Sequence, residues 1–266
     1  MSVIIPLVAA DGAKSTVTLP APTVAAPSGG GFFDDFLGAS GSAPNPAYWT
    51  PSTANWTGGT AKYKPANVYL DGNSHLVLKA KPDLSSGAVS GTGANGRGAV
   101  LLSWGLGLIE ANIQVPKGFP GSWPAWWVVG TNFNTVGWPN CGEMDIYEGF
   151  SSSTGYYSTV HGPGGNASNA YNQAQVYVSA TSIGATDLST AFHTYWINRV
   201  ENSMSIGIDS HTYATWTPAS LTPGATWLMN ENVFPILNFG LSGTPTADAQ
   251  MLIDWVRFTP APVANP

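Results

Sequence analysis

Three carboxylates fall within six positions in "GEMDIYEG", residues 142–149, of a 266-residue chain with only 15 acidic residues. In an extended strand Glu143 and Asp145 share one face, while Met144 and Ile146 point to the other. Glu148 is five positions beyond Glu143, so strict alternation sends it to the wrong side. A β-bulge, which inserts one extra residue, returns it to the face of Glu143 and Asp145; without a bulge the constellation fails. Three carboxylates on one face repel, and at least one has a raised pKa. Retaining glycoside hydrolysis needs this: one carboxylate ionised to attack the anomeric carbon, another protonated to donate to the leaving oxygen, roughly 5–5.5 Å apart. A flat strand would hold the Cα atoms of residues 143 and 148 about 16 Å apart, so the strand must bend across a concave face. A solvated acidic strand edge is the alternative reading of the same residues.

Candidate ligand contacts surround this segment. In "SWPAWWVV" (122–129) period two sets Trp123 and Trp127 on one face and Trp126 on the other. A sugar ring stacks its C–H face on an indole, although filling the core is the ordinary use of a large aromatic. His161 in "VHGPG" can hydrogen-bond a sugar hydroxyl or a carboxylate, or bond backbone in a turn. Asn166, Asn169 and Asn172 follow it and are candidates for lining a polar cleft or for plain loop positions. Cys141 would share the Glu143 face if alternation reached that far; no histidine stands ready to activate it, which assigns it to packing. His75, His193 and His211 show no metal-ligand spacing.

The elements that must carry these residues are strands. "LIEANIQV" (108–115) places Ile109, Ala111, Ile113 and Val115 on one face, and "HLVLKAK" (75–81) turns Leu76, Leu78 and Ala80 inward. "MSIGI" (204–208) and "MLIDWVRF" (251–258) also read as strands, with "VENSM" and "IDSHTY" as turns flanking the former. No long stretch has helical periodicity. With 31 Gly and 21 Pro as punctuation, the pattern predicts an all-β sandwich or barrel. Residues 1–30, rich in Ala, Pro and Val, read as an N-terminal arm or linker. Residues 31–259 read as a single catalytic β-sandwich domain and 260–266 as a tail.

Composition narrows the ligand. Charged residues are 9% of the chain and hydrophobic residues 43%, enough for a large core and unlike a disordered chain. Nine Lys and Arg, a net charge of −6 and no basic cluster exclude nucleic acid and anionic membranes as partners. The same scarcity of cations argues against sulfated galactans. An uncharged, aromatic surface rich in Asn, Ser and Thr suits a neutral polysaccharide. One cysteine rules out an intrachain disulfide and a cysteine-based zinc cage. Residues 3–10 are apolar, but no basic residue precedes them and eight residues cannot span a bilayer. The chain is expected to act as a secreted monomer whose export signal has been removed.

"GEMDIYE" resembles the Glu-x-Asp-x-x-Glu signature of glycoside hydrolase family 16. "GSWPAWWVVG", "VGWPNCGEMDIYE" and "STVHGPG" are similar to its laminarinase branch, and "EANIQVPKG", "FHTYWI", "PILNFG" and "IDWVRF" follow in family order between about 32 and 259. The resemblance implies a curved two-sheet antiparallel jelly roll with an open substrate cleft on its concave face. It implies Glu143 as nucleophile, Glu148 as acid/base, and Asp145 as the group that holds and tunes Glu143. It adds Trp138 and Arg97 to Trp123, Trp127 and His161 as cleft residues. No cofactor is expected for the chemistry, but a structural calcium ion is, held by carbonyls with Asp254 and Asp35, or Asp34 in its place. Capping a strand end or pairing with Arg257 is the competing role for Asp254. The expected activity is endo-acting, retaining cleavage of internal β-1,3-glucosidic bonds in laminarin-like glucans. A transglycosylase, a hydrolase of mixed-linkage glucan or agar, and a non-catalytic glucan-binding protein are the alternatives. Binders of this fold typically lack the acidic set that is complete here. After "PILNFG" the chain reads "LSGTPTADAQ" instead of a Gly- and Trp-containing loop, which leaves the outer subsites open.

Overall fold

Alternation along Gly107–Gln114 fixes one wall of the core: Ile109, Ala111 and Ile113 are fully buried, and Val115 continues the row. Leu76, Leu78 and Ala80 do the same on Leu76–Ala80. Both strands belong to the back sheet of a two-layer sandwich. Its order is His211–Trp216, Ser203–Ile208, His193–Val200, Gly107–Gln114, Ala249–Pro260, Leu76–Ala80, Val68–Leu70, with Phe32–Asp34 also paired to Ala249–Pro260. The segment "HTY", expected in a turn, instead opens the edge strand His211–Trp216 after a two-residue turn at 209–210.

The front sheet runs Asn172–Ser179, Gly155–His161, Glu143–Glu148, Ser122–Gly130, Val233–Leu241, Ala88–Ser90, Thr50–Pro51. All neighbouring strands of the two sheets are antiparallel. The sandwich is a curved jelly roll with its cleft on the front sheet. This computed structural model describes residues 3–8, 14–19, 30–165 and 171–262. Among these the only α-helix is Phe133–Val136. Within the stretch 1–30, Val3–Val8 and Lys14–Leu19 pair as a hairpin that joins neither large sheet.

The front sheet is apolar on both faces. Trp126, Val128, Leu237 and Phe239 fill the layer between the sheets. Ala125, Trp127, Val129, Cys141, Phe234 and Ile236 form a second cluster, packed against Trp56 and Phe133. This second cluster is the floor of the cleft. A groove that binds a large ligand needs such a rigid base, and burial on both faces supplies it.

Candidate active site

The required bulge is present. On Ser122–Gly130, Trp126 pairs with Tyr147 but Trp127 pairs with Asp145, so Ile146 is the extra residue. On the other side Asp145 faces Thr159 and Glu148 faces Tyr157, the same shift. Ile146 and Tyr147 point in succession into the core, 1% and 0% exposed. Glu148 is thereby returned to the face of Glu143 and Asp145.

The three carboxylates line a cavity of about 800 Å³ together with Trp56, Arg97, Trp123, Trp127, Trp138 and His161. His161 stands opposite Glu143 across the strand pair. Its Nε2 is 2.9 Å from Asp145 Oδ2 and 3.7 Å from Glu143 Oε1. Glu143, Asp145 and His161 each offer a ligand atom within 4.8 Å of the others.

Burial dominates the electrostatics. It pushes Glu143 well above the usual carboxylate range, and repulsion from Asp145 and Glu148 adds to it; His161 and the Trp138 indole oppose the rise. Burial raises Asp145 as well. Two buried carboxylates this close favour sharing a proton over carrying two charges. Burial, then Asp145, pushes Glu148 up to about 8, against the opposing hydrogen bond from Trp123 and the field of His161. A carboxyl with that value is protonated at neutral pH and can donate.

The expected cleft residues occupy different positions. The Trp123 indole N–H donates to Glu148 Oε1 at 2.7 Å. Trp127 lies on the cleft face, as alternation requires, but beneath the surface: it is 7% exposed and donates to Asn238 Oδ1 at 2.6 Å. Trp56 lies over it with ring centroids 6.0 Å apart, so Trp127 supports the cleft instead of presenting an open face. Trp126 is fully buried in the core, as expected. Trp138 is 42% exposed and packs against Tyr171 at 4.7 Å and His161 at 6.1 Å. Arg97 sits at the rim, its guanidinium 5.2 Å from the Phe133 ring centre. Asn172 lines the cleft, whereas Asn166 and Asn169 lie outside the described residues. Cys141 is buried in the floor cluster, and burial, then Glu143, pushes its thiol up to about 11, which suits packing and not nucleophilic attack.

Trp56, Asn238, Gln175 and Phe150 also line the cavity and were not anticipated. Phe150 follows Glu148 by two residues, so period two extended past the strand would have found it. Trp56 and Asn238 come from distant segments, and nothing local marks them.

The two metal candidates lie away from the cleft. Asp254 Oδ2 accepts from Asn112 Nδ2 at 3.0 Å, and Arg257 pairs with Glu110 at 2.7 Å and not with Asp254. Asp35 Oδ1 accepts the Leu37 N–H at 3.3 Å, whereas Asp34 turns inward to Trp49 Nε1 at 2.8 Å. No group of three His, Cys, Asp or Glu includes Asp254 or Asp35 among the described residues. A cation there would have to rest largely on backbone carbonyls and water, which suits calcium better than a transition metal.

Comparison with known proteins places this geometry. Residues 103–214 match the family described as "XgeA-like, catalytic GH16 domain". A keratan-sulfate endo-1,4-beta-galactosidase of Sphingobacterium multivorum is 27% identical over 265 residues, covering 94% of this chain. The chain spans 59% of that relative's length. The structure of the catalytic domain of an endo-1,3-beta-glucanase (laminarinase) from Thermotoga petrophila superposes with a TM-score of 0.72 at 26% identity, covering 85% of this chain and 95% of that one. An endo-beta-1,3-glucanase from Pyrococcus furiosus gives 0.72 at 28% identity, with 86% and 94% covered.

Proposed function

We propose that this chain, which carries a laminarinase-like catalytic domain of glycoside hydrolase family 16, is an endo-acting, retaining glycosidase that cleaves internal β-1,3 bonds of neutral β-glucans. The observation that carries the chemistry is the bulge at Ile146, which gathers Glu143, Asp145 and Glu148 on one cleft face. Glu143 attacks the anomeric carbon while Glu148 protonates the departing glycosidic oxygen, leaving a glycosyl ester on Glu143. Glu148, now ionised, takes a proton from water, which attacks the same carbon and frees Glu143. Asp145 takes the shared proton and leaves Glu143 ionised for attack, while His161, with Nε2 2.9 Å from Asp145 Oδ2, keeps that carboxyl in place. The half-buried indole of Trp123 and the exposed indole of Trp138 offer stacking faces for the sugar chain.

The galactosidase relative raises a second reading, a sulfated galactan as substrate. The residues lining the cleft include one permanent cation, Arg97, against three carboxylates, a poor site for a polyanion. Neutral glucan is the better fit. Parallel digestion of laminarin, lichenan, agarose, xyloglucan and keratan sulfate tests this, with proton NMR of the first products. We expect laminarin to be cut fastest, into oligosaccharides, with the β-anomer appearing before mutarotation. Preference for another polymer refutes the substrate, and early α-anomer refutes double displacement.

A further inference from the structure

The aromatic surface does not end where the cleft does. From Trp123, bonded to Glu148, ring contacts run to Phe150 at 5.5 Å, on to Tyr157 at 6.0 Å, and to Tyr177 at 5.1 Å. The sheet register makes this a row across strands: Glu148 faces Tyr157, and Tyr157 faces Tyr177 on the edge strand Asn172–Ser179. All of these side chains therefore lie on the carboxylate face. Phe150 is 45% exposed and Tyr177 51%.

Tyr177 is laid across its neighbour strand. A Cβ placed on Gly155 would fall 2.3 Å from the Tyr177 hydroxyl and 2.6 Å from its Cζ, so the bare glycine backbone is what seats the ring. The hydroxyl end of the ring lies over Gly155, and half of the residue is left open to solvent. On the next row Gln175 Nε2 donates to Thr159 Oγ1 at 3.0 Å, polar groups beside the aromatic strip. Open aromatic faces flanked by neutral amides and hydroxyls, with no charge between them, match a neutral sugar chain.

We propose that Tyr157 and Tyr177 form an outer subsite, over which the same β-glucan chain that occupies the cleft continues to the sheet edge. This rests on the function proposed above. Two strand spacings separate Glu148 from Tyr177, about 10 Å, the reach of about two sugar units from the cleavage point. Only substrates long enough to reach the edge should feel the platform.

The test compares wild type, Tyr177→Ala and Tyr177→Phe on laminarin and on an aryl β-glucoside, whose single sugar unit stops short of the platform, with melting temperatures of all three. Removing one stacking face should lower kcat/KM on laminarin about tenfold in the alanine variant, with less than about a twofold change on the aryl glucoside. Phenylalanine, which keeps the ring, should behave as wild type. Unchanged laminarin cleavage by Tyr177→Ala, or an equal loss on both substrates, overturns the proposal. Should Tyr177→Ala not fold, Tyr157→Ala is put through the same comparison. Retardation in gels containing laminarin reads the platform without catalysis: Tyr177→Ala should be retarded less than wild type. A wild type that is retarded but cuts no β-1,3-glucan refutes the hydrolase reading alone. Equal mobility of wild type and variant refutes the subsite.

Discussion

Replacing Trp123 with phenylalanine removes one hydrogen bond from Glu148 and keeps an aromatic ring in the cleft. The indole N–H donates to Oε1 at 2.7 Å and favours the ionised carboxylate, opposing the burial and the Asp145 repulsion that raise Glu148 to about 8. A hydrogen bond to a charged group contributes about 1.5–3 kcal/mol, and one pKa unit corresponds to about 1.4 kcal/mol. Loss of the bond therefore lifts Glu148 further, by about one to two units.

The assay is the pH profile of kcat/KM, which reports the free enzyme's essential acid. Wild type should lose activity as pH rises through about 8, where Glu148 gives up the proton it must donate. In Trp123→Phe the alkaline limb should move up by about one to two units. The height of the profile is free to fall, since a smaller ring stacks less well on sugar; the limb reads the acid alone. An aryl glycoside, whose leaving group needs little protonation, should show a weakened limb in both proteins. An alkaline limb that stays put, or moves down, refutes the claim that this indole tunes the acid.

Burial of Glu148 also predicts a stability change. Its folded-state pKa lies above the unfolded one, so its contribution is full below about 4.5 and is lost as pH rises through about 8. Glu148→Gln should therefore melt higher than wild type at pH 9 and by a smaller margin at pH 5, and a lower melting temperature at pH 9 contradicts the assigned burial cost. Calcium on the back of the sandwich, with Asp254 as a ligand, remains a proposal with its own test. If the ion binds only the folded state, a concentration about 100 times its dissociation constant adds about 2.7 kcal/mol, a rise of about 5–10 °C over EDTA that Asp254→Ala should abolish. No calcium-dependent rise in wild type removes the ion.

What could be read before the structure follows the range of the interaction behind it. Alternation is local, and it placed Ile109, Leu78 and Trp126 in the core because each strand must bury one face. The bulge was legible for the opposite reason: a functional demand on Glu148 conflicted with period two, and one inserted residue reconciles them. Trp127 shows where the local argument stops. Parity put it on the cleft face, correctly, but parity carries no information about what lies above that face. Trp56, which covers it, comes from 71 positions earlier in the chain, and Asn238, which holds its N–H, from 111 positions later. The same limit applies to Tyr177, which looks like an ordinary strand aromatic. Its orientation depends on a glycine two strand positions from its pairing partner Tyr157, a dependence set by register and by the space a missing Cβ leaves. Sequence pattern thus decides which face a side chain joins, and contacts between distant segments decide whether that face is open to a ligand.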